Sequence, residues 1–403
     1  MNMRFDATQR RILFVIGSLH LGGAESQLTM LAAGLQERGW QVIVFALDAS
    51  GPLRAVLEEN ACMVVDGGYA STEGGKVAKL VSLASAQARL MHTAVRERID
   101  VIHGFLPLTN FMAALAGWMT RRRVIITSRR GLGTHQDRHP HLRVLDRIAN
   151  RFSHVVTANS KAVADDVAHR DTYPRDRIVI IGNGLDFPRV TAAANTRQRV
   201  RRELGLGDSH IGIIKVANLI PYKGHDDLIA AFAALAVHDC RLRLFLVGED
   251  RGLLDSLVAQ TEQLNIQERV MFLGRRQDVP ALLAGMDIGV MASHEEGFSN
   301  ALLEKLAIGL PVVATDVGGN REALSDMPNC LIIPARNPRR LEDGLRALIE
   351  RLPEGELLAI RRANQIRERY SIESMVVAYE ALYFGEIRGI DNCLDNHPTG
   401  ASR

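Results

Sequence analysis

The feature that most constrains the fold is a regular alternation of short apolar runs and longer amphipathic stretches. An apolar run at residues 12–17, for example, precedes a helical stretch at 24–38, and the next run is 42–46. This order is typical of parallel sheets whose strands are joined by helices. We predict strands at 12–17, 42–46, 62–65, 101–103, 124–128, 155–158, 178–181, 211–217, 242–247, 270–272, 288–291, 312–314 and 330–333.

The chain has 403 residues, which is long for one hydrophobic core, and the series of runs is interrupted once. Asn183, Gly184 and Pro188 mark a turn at that point. We predict domains at 1–187 and 188–370, a helix at 371–390 and a tail at 391–403. Both domains are expected to be Rossmann-like, doubly wound α/β sheets that face one another across a cleft, where ligands gather at the strands' carboxyl ends.

Composition excludes several classes of protein. No apolar run reaches the roughly 20 residues that a membrane-spanning helix needs, and residues 1–11 lack the apolar core of a secretion signal. The four scattered cysteines favour a reducing compartment, so we expect a cytoplasmic protein. A net charge of +3 does not indicate nucleic-acid binding. Most basic runs are solvated surface, but the stretch from Arg121 to Arg151 is clustered in one domain and is a candidate for contact with an anionic acceptor or the anionic face of a membrane.

Residues 293–322 contain the most informative motif, an acidic loop followed by a short helix. Glu296 and Glu304 are separated by seven residues. If Ser299 or Asn300 caps the helix, Glu304 lies just over one turn in, and both carboxylates lie near the free N–H groups of the helix start. A nucleotide-sugar, with hydroxyls at both ends and a diphosphate between them, suits this set. Stabilisation of the helix dipole is the alternative, but it does not account for Glu304.

Two turns after predicted strands are candidates for diphosphate binding. Gly22 and Gly23 follow the first strand, and a double glycine at a helix start lets a ligand approach backbone N–H donors. Lys223 follows the first strand of the second domain, where its three donors on a flexible stem would reach a diphosphate. The alternatives are an ordinary turn and a solvated lysine.

Three further side chains are predicted at strand ends in the first domain. His103 is predicted to end its strand and to bond a sugar hydroxyl, although a structural histidine is the alternative. Arg129 and Arg130 end the next strand, and either is a candidate for contact with a phosphate or the acceptor. Surface arginines without such a role are the alternative there.

Taken in order along residues 11–383, the chain resembles the retaining glycosyltransferases of family 4, which have the GT-B fold. The segments that carry the resemblance are Gly22-Gly23-Ala24-Glu25, residues 101–104, Ala158-Asn159-Ser160, residues 181–186, Lys223-Gly224, Gly274-Arg275, the pair Glu296 and Glu304, and Gly318-Gly319.

The resemblance implies roles for individual residues. Glu304 would hold the ribose hydroxyls of the donor, Glu296 the sugar hydroxyls, and Lys223 the diphosphate. His103 would contact the sugar, and Arg275 would lie near the base. The implied catalytic residues are thus Lys223, Glu296 and His103. The implied donor-binding set is Gly22, Gly23, Asn218, Lys223, Arg275, Glu296, Gly297, Phe298, Ser299, Asn300 and Glu304.

The expected activity is metal-independent, cofactor-free transfer with retention, from a UDP-sugar first or a GDP-sugar second, to a glycan or lipid-linked glycan of a cell-surface polysaccharide. The sugar would be a hexose or an N-acetylhexosamine, and the last helix would cross back to the first domain. One departure is Asn218, where the family has an arginine. The rivals are a nucleotide-sugar epimerase of similar architecture and a non-catalytic nucleotide-sugar-binding partner. A dehydrogenase is disfavoured because neither half has the G-x-G-x-x-G turn.

Overall fold

The computed structural model describes residues 10–69, 75–134, 137, 140–352 and 355–385. The predicted tail at 391–403 and the last residues of the predicted 371–390 helix lie outside these ranges. The chain divides into two compact units, one that ends at Gly184 and resumes at Ile372, and one that runs Leu185–Ser371. The sequence predicts that residues 1–187 bind the acceptor and that residues 188–370 bind the nucleotide-sugar, and both roles stay predictions.

The first unit is built on a parallel sheet with the strand order β3-β2-β1-β4-β5-β6-β7. Its strands are β1 Arg11–Ser18, β2 Gln41–Asp48, β3 Met63–Asp66, β4 Val101–Phe105, β5 Val124–Arg129, β6 Val155–Ala158 and β7 Ile178–Ile180. Its helices up to Gly184 are α1 Gly23–Glu37, α2 Leu53–Glu59, α3 Lys76–Arg96, α4 Pro107–Met119, α5 Pro140–Phe152 and α6 Lys161–Arg170. Residues 12–16 are fully buried because helices cover both faces of such a sheet.

The second unit has a parallel sheet with the order β10-β9-β8-β11-β12-β13. Its strands are β8 Ile211–Val216, β9 Leu242–Val247, β10 Val270–Phe272, β11 Ile288–Met291, β12 Val312–Thr315 and β13 Leu331–Ile333. Its helices are α7 Phe187–Ala192, α8 Arg197–Glu203, α9 His225–Ala236, α10 Leu254–Gln263, α11 Val279–Gly285, α12 Asn300–Ala307, α13 Asn320–Ala323, α14 Pro338–Arg351 and α15 Glu356–Tyr370.

Both sheets have the Rossmann order, which confirms the predicted pair of doubly wound α/β sheets. In each sheet the order reverses at one point, between β1 and β4 in the first unit and between β8 and β11 in the second. Loops that follow the two central strands leave in opposite directions there, and they open a crevice at the carboxyl edge of the sheet. This is where ligands of open α/β sheets bind.

The last described helix, α16 Ile372–Phe384, belongs to the first unit. Its Tyr383 is buried against Trp40, with ring centroids 5.6 Å apart. Trp40 Nε1 donates to Glu380 Oε1 over 2.9 Å, and an Arg38 Nη lies 2.6 Å from the other carboxylate oxygen. The prediction that the final helix returns to the first domain is therefore confirmed. Within the described ranges, no helix combines the length and the apolar character needed to cross a bilayer.

Candidate functional site

Lys223 and Glu296 meet at the carboxyl edge of the second sheet. The Lys223 Nζ lies 2.6 Å from Glu296 Oε1, and the Ser293 hydroxyl donates to the same oxygen over 2.8 Å. Lys223 ends a short turn after β8, and the other two residues lie in the loop after β11. Since β8 and β11 flank the point where the strand order reverses, this ion pair lies in the crevice expected to bind a ligand.

Gly224 allows the turn that contains Lys223 to pack closely against the loop after β11. Its φ of +61° is left-handed, and a Cβ at this position would collide with the carbonyl oxygen of Ala292. The N–H of His294 donates to the carbonyl of Tyr222 over 2.7 Å. Only glycine satisfies both the conformation and the close approach, which gives the Lys-Gly motif a structural cause.

Gly318 supports the loop of Glu296 from the other side. Its φ is +53°, and a Cβ there would collide with the carbonyl oxygen of Glu296. The N–H of Gly319 donates to the carbonyl of Gly297 over 2.7 Å. The Gly-Gly turn thus holds the backbone that carries the acidic side chain.

Glu304 lies on α12, which begins at Asn300 and is capped by Ser299, whose Oγ accepts from the Leu302 N–H over 3.3 Å. As predicted, Glu304 is just over one turn into this helix. Its side chain is half-buried, and burial raises its pKa, while the charges of Lys305 and Arg189 act in the opposite direction. Within the described residues no side chain hydrogen-bonds to the Glu304 carboxylate, which leaves its oxygens available to a hydroxyl-bearing ligand.

The other predicted donor residues of the second unit lie in loops at the same edge or at the start of α12. Asn218 is exposed after β8, and its Oδ1 accepts from the Glu249 N–H over 3.2 Å. Arg275 is exposed after β10. Phe298 is buried, with its ring centroid 5.2 Å from that of Tyr370. The donor-binding roles of these residues stay predictions.

Gly22 and Gly23 occupy the corresponding edge of the first sheet. Gly22 is the N-cap of α1 and has an extended backbone, and α1 begins at Gly23. The N–H of Ser26 donates to the Gly22 carbonyl over 3.0 Å. The turn therefore lies at the reversal point of its own sheet, directly after β1.

His103 requires a correction. The strand β4 does not end there but continues to Phe105, so that His103 lies in the middle of a buried strand. Its Nδ1 is 2.8 Å from the Tyr383 hydroxyl, and its Nε2 is 2.8 Å from Ser128 Oγ. Burial lowers its pKa well below the ordinary value, and the charge of Arg130 adds to this effect. The fully buried ring has no surface to offer a sugar, and we reassign His103 as a structural residue.

Arg129 also requires a correction. Its guanidinium is buried and pairs with the carboxylates of Asp146 and Asp171, the latter over 3.1 Å. It also donates to Asn150 Oδ1 over 2.9 Å. Burial lowers its pKa to about 10, and the charge of Asp171 acts against this shift. The charge is matched inside the unit, so Arg129 does not contact an acceptor.

Arg130, one residue on, has no carboxylate partner in the described part of the chain. It donates to Asn183 Oδ1 over 2.9 Å, and its guanidinium carbon lies 5.7 Å from the centroid of the Phe105 ring. Burial lowers its pKa from the ordinary arginine value, whereas Tyr379 raises it. The predicted contact of Arg130 with a phosphate or acceptor stays a prediction.

Two buried lysines near the ion pair were missed. Lys215 lies within β8 and is fully buried, and its Nζ has no hydrogen-bond partner among the described residues. Lys305, on α12, is also fully buried and donates to the Ala301 carbonyl over 3.1 Å. Burial lowers the pKa of Lys215 to about 7, helped by the charges of Lys223 and Lys305. The signal in the sequence for Lys215 was its position within an otherwise apolar predicted strand, which indicates a buried charge.

Lys215→Met is expected to raise the free energy of unfolding at pH 6 by about 1–4 kcal/mol, since it removes a buried charge without opening a cavity. The folded-state pKa of about 7 lies below the ordinary 10.5, and the unfolded state binds more protons between these values. Wild-type stability therefore rises with pH across that window. The increase in the free energy of unfolding caused by Lys215→Met should be complete below about pH 7 and absent above about pH 10.5.

Urea unfolding of both proteins at pH 6 and pH 10 measures this difference. Equal advantages at the two pH values would show that Lys215 is charged in the folded protein throughout.

Asp226, Asp227 and His294 are described residues that could hold a metal ion, because their ligand atoms lie within 4.8 Å of one another. His294 Nε2 is 2.8 Å from Asp227 Oδ2. Both aspartates lie in the first turn of α9, where carboxylates stabilise the helix start. These two interactions account for the cluster without an ion.

Comparison with known protein families gives two matches that together span most of the chain. The model described as Glycosyltransferase Family 4 matches residues 21–189. The model described as Glycosyl transferases group 1 matches residues 210–351. The first match begins after β1 and includes the other six strands of the first sheet, and the second match includes all six strands of the second sheet.

Individual proteins are similar over most of their length. N-acetyl-alpha-D-glucosaminyl L-malate synthase of Bacillus anthracis is 29% identical over 77% of this chain and 81% of its own. D-inositol 3-phosphate glycosyltransferase of Geodermatophilus obscurus is 26% identical over 91% and 86%.

Solved structures match as well. HepE of Anabaena in complex with UDP-glucose has a TM-score of 0.79 and 25% identity, over 92% of this chain and 99% of its own. WaaG, a glycosyltransferase involved in lipopolysaccharide biosynthesis, has a TM-score of 0.72 at 18% identity over 93% and 100%, a likeness of fold alone. With two Rossmann-ordered sheets and these matches, the chain belongs to glycosyltransferase family 4 and has the GT-B fold.

Proposed function

We propose that this glycosyltransferase moves a sugar, with retention, from a UDP-sugar to a hydroxyl of a glycan or lipid-linked glycan in cell-surface polysaccharide synthesis. The observation that carries the proposal is the Lys223–Glu296 pair at the reversal point of the second sheet. The choice of uridine is supported by HepE, which was solved with UDP and with UDP-glucose. A GDP-sugar is the second choice.

A glycan carried on a lipid is supported by one relative. N-acetylgalactosamine-N,N'-diacetylbacillosaminyl-diphospho-undecaprenol 4-alpha-N-acetylgalactosaminyltransferase of Campylobacter jejuni is 31% identical over 49% of this chain and 51% of its own. Its name describes transfer to a sugar on a polyprenyl diphosphate. Arg130, directly after β5, is our candidate for contact with an acceptor of this class.

In this proposal Lys223 turns from Glu296 to the donor diphosphate, and Glu296 takes the hydroxyls of the sugar. The bond from the sugar carbon to the phosphate oxygen breaks, and negative charge builds on the leaving diphosphate. Lys223 and the backbone N–H groups at the start of α12 stabilise that charge. The buried Lys305, whose charge is coupled to those of Lys223 and Glu296, adds positive potential near this pair, where Asn218 is uncharged.

Retention follows if the acceptor hydroxyl attacks from the face that the phosphate leaves. The leaving phosphate oxygen then takes the proton of that hydroxyl, and the new bond forms between the acceptor oxygen and the sugar carbon. Glu296 binds and positions the sugar in this scheme and forms no covalent bond with it. The charge stabilisation comes from the side chains and N–H groups named above, so the proposal needs no metal ion.

A thermal-shift screen of UDP-glucose, UDP-N-acetylglucosamine and GDP-mannose tests donor binding. A ligand that binds only the folded state at 100 times its Kd adds about 2.7 kcal/mol of apparent stability. UDP-sugars are expected to raise the midpoint of the wild type and to have little effect on Glu304→Gln, whose amide is a poorer acceptor for two ribose hydroxyls. Glu322→Gln, on the neighbouring α13, is the control and should respond like the wild type.

The pH dependence of the same shift is a second readout. Burial raises the pKa of Glu304 above its ordinary 4.5, and a protonated carboxyl loses acceptor oxygens. UDP binding by the wild type should therefore weaken as pH falls, at a pH above that of an ordinary carboxyl, and Glu304→Gln should lack this step. A full UDP response by Glu304→Gln would remove the ribose assignment.

Product analysis separates the rivals. Transfer to an acceptor glycan with release of UDP supports the proposal. A changed sugar on the nucleotide in the absence of acceptor would identify an epimerase. UDP-sugar binding without transfer or hydrolysis, across a broad set of acceptors, would identify a binding partner.

A further inference from the structure

The first two turns of α3 expose an apolar stripe. Val77, Leu80 and Val81 are 74%, 67% and 63% exposed. Residues spaced three and four apart lie on the same face of a helix, so these side chains form one patch. Later turns of the same helix bury Leu90 and Ala94 in the core. A contiguous exposed apolar patch on a helix whose later turns pack into the core indicates a surface that meets something other than water.

The charge of α3 is of one sign. Its sequence from Lys76 to Arg96 contains four lysines and arginines and no aspartate or glutamate. Lys76 and Lys79 are exposed and flank the apolar stripe. An apolar face bordered by lysines is complementary to an anionic lipid surface, which offers acyl chains below a layer of negative headgroups.

The stripe lies at the same edge of the first sheet as the Gly22-Gly23 turn. In a parallel sheet, the helix after a strand begins at the carboxyl edge, so α3 begins there after β3. β3 is two strands from β1, a separation of about 10 Å across the sheet. The other end of α3, with Val95, lies at the opposite edge.

The structure makes the basic stretch from Arg121 to Arg151 a weaker candidate for membrane contact than the sequence alone suggests. Arg129 is buried in ion pairs. Arg143 and Arg147 both donate to the carbonyl of Arg170, and Arg122 donates to the carbonyls of its neighbours. Arg138 lies outside the described residues. Much of this charge therefore satisfies backbone groups of the first unit.

We propose that residues 76–81 of α3 bind the surface of an anionic phospholipid bilayer, with Val77, Leu80 and Val81 among the acyl chains and both lysines at the headgroups. This inference rests on the proposed function and deepens it, because it assigns the acceptor to the membrane surface as a lipid-linked glycan. The acceptor's sugar then meets the carboxyl edge of the first sheet, while its lipid stays in the bilayer.

Flotation of the full chain with vesicles tests the proposal. The vesicles contain phosphatidylcholine alone or mixed with phosphatidylglycerol. The wild type should float with the mixed vesicles. Leu80→Glu should reduce the partition coefficient by about tenfold or more, since it replaces a leucine that the proposal places among the acyl chains. Lys76→Gln and Lys79→Gln should each reduce it about fivefold, and only with phosphatidylglycerol present.

Two matched controls have similar exposure at the other edge of the sheet. Val95, on α3 itself, is 55% exposed, and Trp118, beside the basic stretch, is 56% exposed. Val95→Glu and Trp118→Glu should both float like the wild type. Equal losses in Leu80→Glu and Val95→Glu, or a loss in Trp118→Glu alone, would overturn the assignment to α3. Absence of flotation by the wild type would overturn it as well.

Sedimentation velocity addresses the rival occupant, a second copy of the chain. If the wild type is a dimer that Leu80→Glu dissociates, and vesicle binding is unchanged, the stripe is a subunit interface and the proposal fails. The UDP thermal shift of Leu80→Glu is the link to the proposed function. A normal UDP thermal shift of Leu80→Glu shows an intact donor site, whatever the result with vesicles. If the wild type itself shows no UDP thermal shift, that result counts against the proposed function alone.

Discussion

Lys223→Ala is expected to lower the rate of sugar transfer about 100- to 1000-fold, equivalent to about 2.7–4 kcal/mol of barrier. In the proposed mechanism the Lys223 ammonium group faces the diphosphate, and its loss leaves the developing charge to the backbone N–H groups at the start of α12 and to the buried Lys305. The Ser293 hydroxyl, which donates to Glu296 in the wild type, is unchanged in this variant, so the loop after β11 should keep its position. UDP release and product formation at saturating donor measure the effect.

Arg241→Ala is the matched control for Lys223. Arg241 is also an ion-paired cation of the second unit, 2.7 Å from Asp239, but it precedes β9 and so lies at the amino edge of the sheet. The Arg241→Ala variant should transfer sugar at the wild-type rate. Wild-type-like transfer by Lys223→Ala, in a protein with an unchanged unfolding midpoint, would falsify the role of Lys223.

Arg129→Met is expected to lower the free energy of unfolding by about 3–5 kcal/mol, because it leaves two buried carboxylates without their cation. Asp146 is fully buried, and Asp171 is nearly so. Urea or thermal unfolding of the purified protein measures the loss.

Arg130→Met is the control for Arg129, because this neighbouring arginine has no carboxylate partner among the described residues. It should change the unfolding free energy by much less than Arg129→Met. The triple variant Arg129→Met, Asp146→Asn, Asp171→Asn should recover part of the loss. A small effect of Arg129→Met alone would show that water reaches the two carboxylates.

The strands were predictable because each is an apolar run bounded by polar or glycine-containing segments. All thirteen predicted strands are present among the described elements, with ends that shift by up to two residues. One of the two shifts of two residues has a consequence. The pairing of Phe105 with Ser128 extends β4 beyond His103, and this moves the histidine from a strand end to the interior. Such pairing depends on a neighbouring strand and is not visible in the run itself.

The site was predictable where a motif determines local backbone, as with the Ser299 cap and the position of Glu304. The contact of Lys223 with Glu296 also depends on the order of strands, which places β8 beside β11. The environments of Arg129 and Lys215 were not predictable. The carboxylates that neutralise Arg129 lie 17 and 42 residues further along the chain, and the burial of Lys215 results from helices that pack later in the sequence.

The return of α16 to the first unit also has a consequence for biosynthesis. Trp40 and its neighbours acquire their cover only after the whole segment Leu185–Ser371 has been translated. At about 5–20 residues per second, the nascent first unit waits roughly 10–40 s for its last helix. A fragment that stops at Gly184 lacks α16 and should expose the apolar surface that this helix covers, so it should bind chaperones. The second unit, Leu185–Ser371, is one continuous segment and should be the part that can be expressed alone.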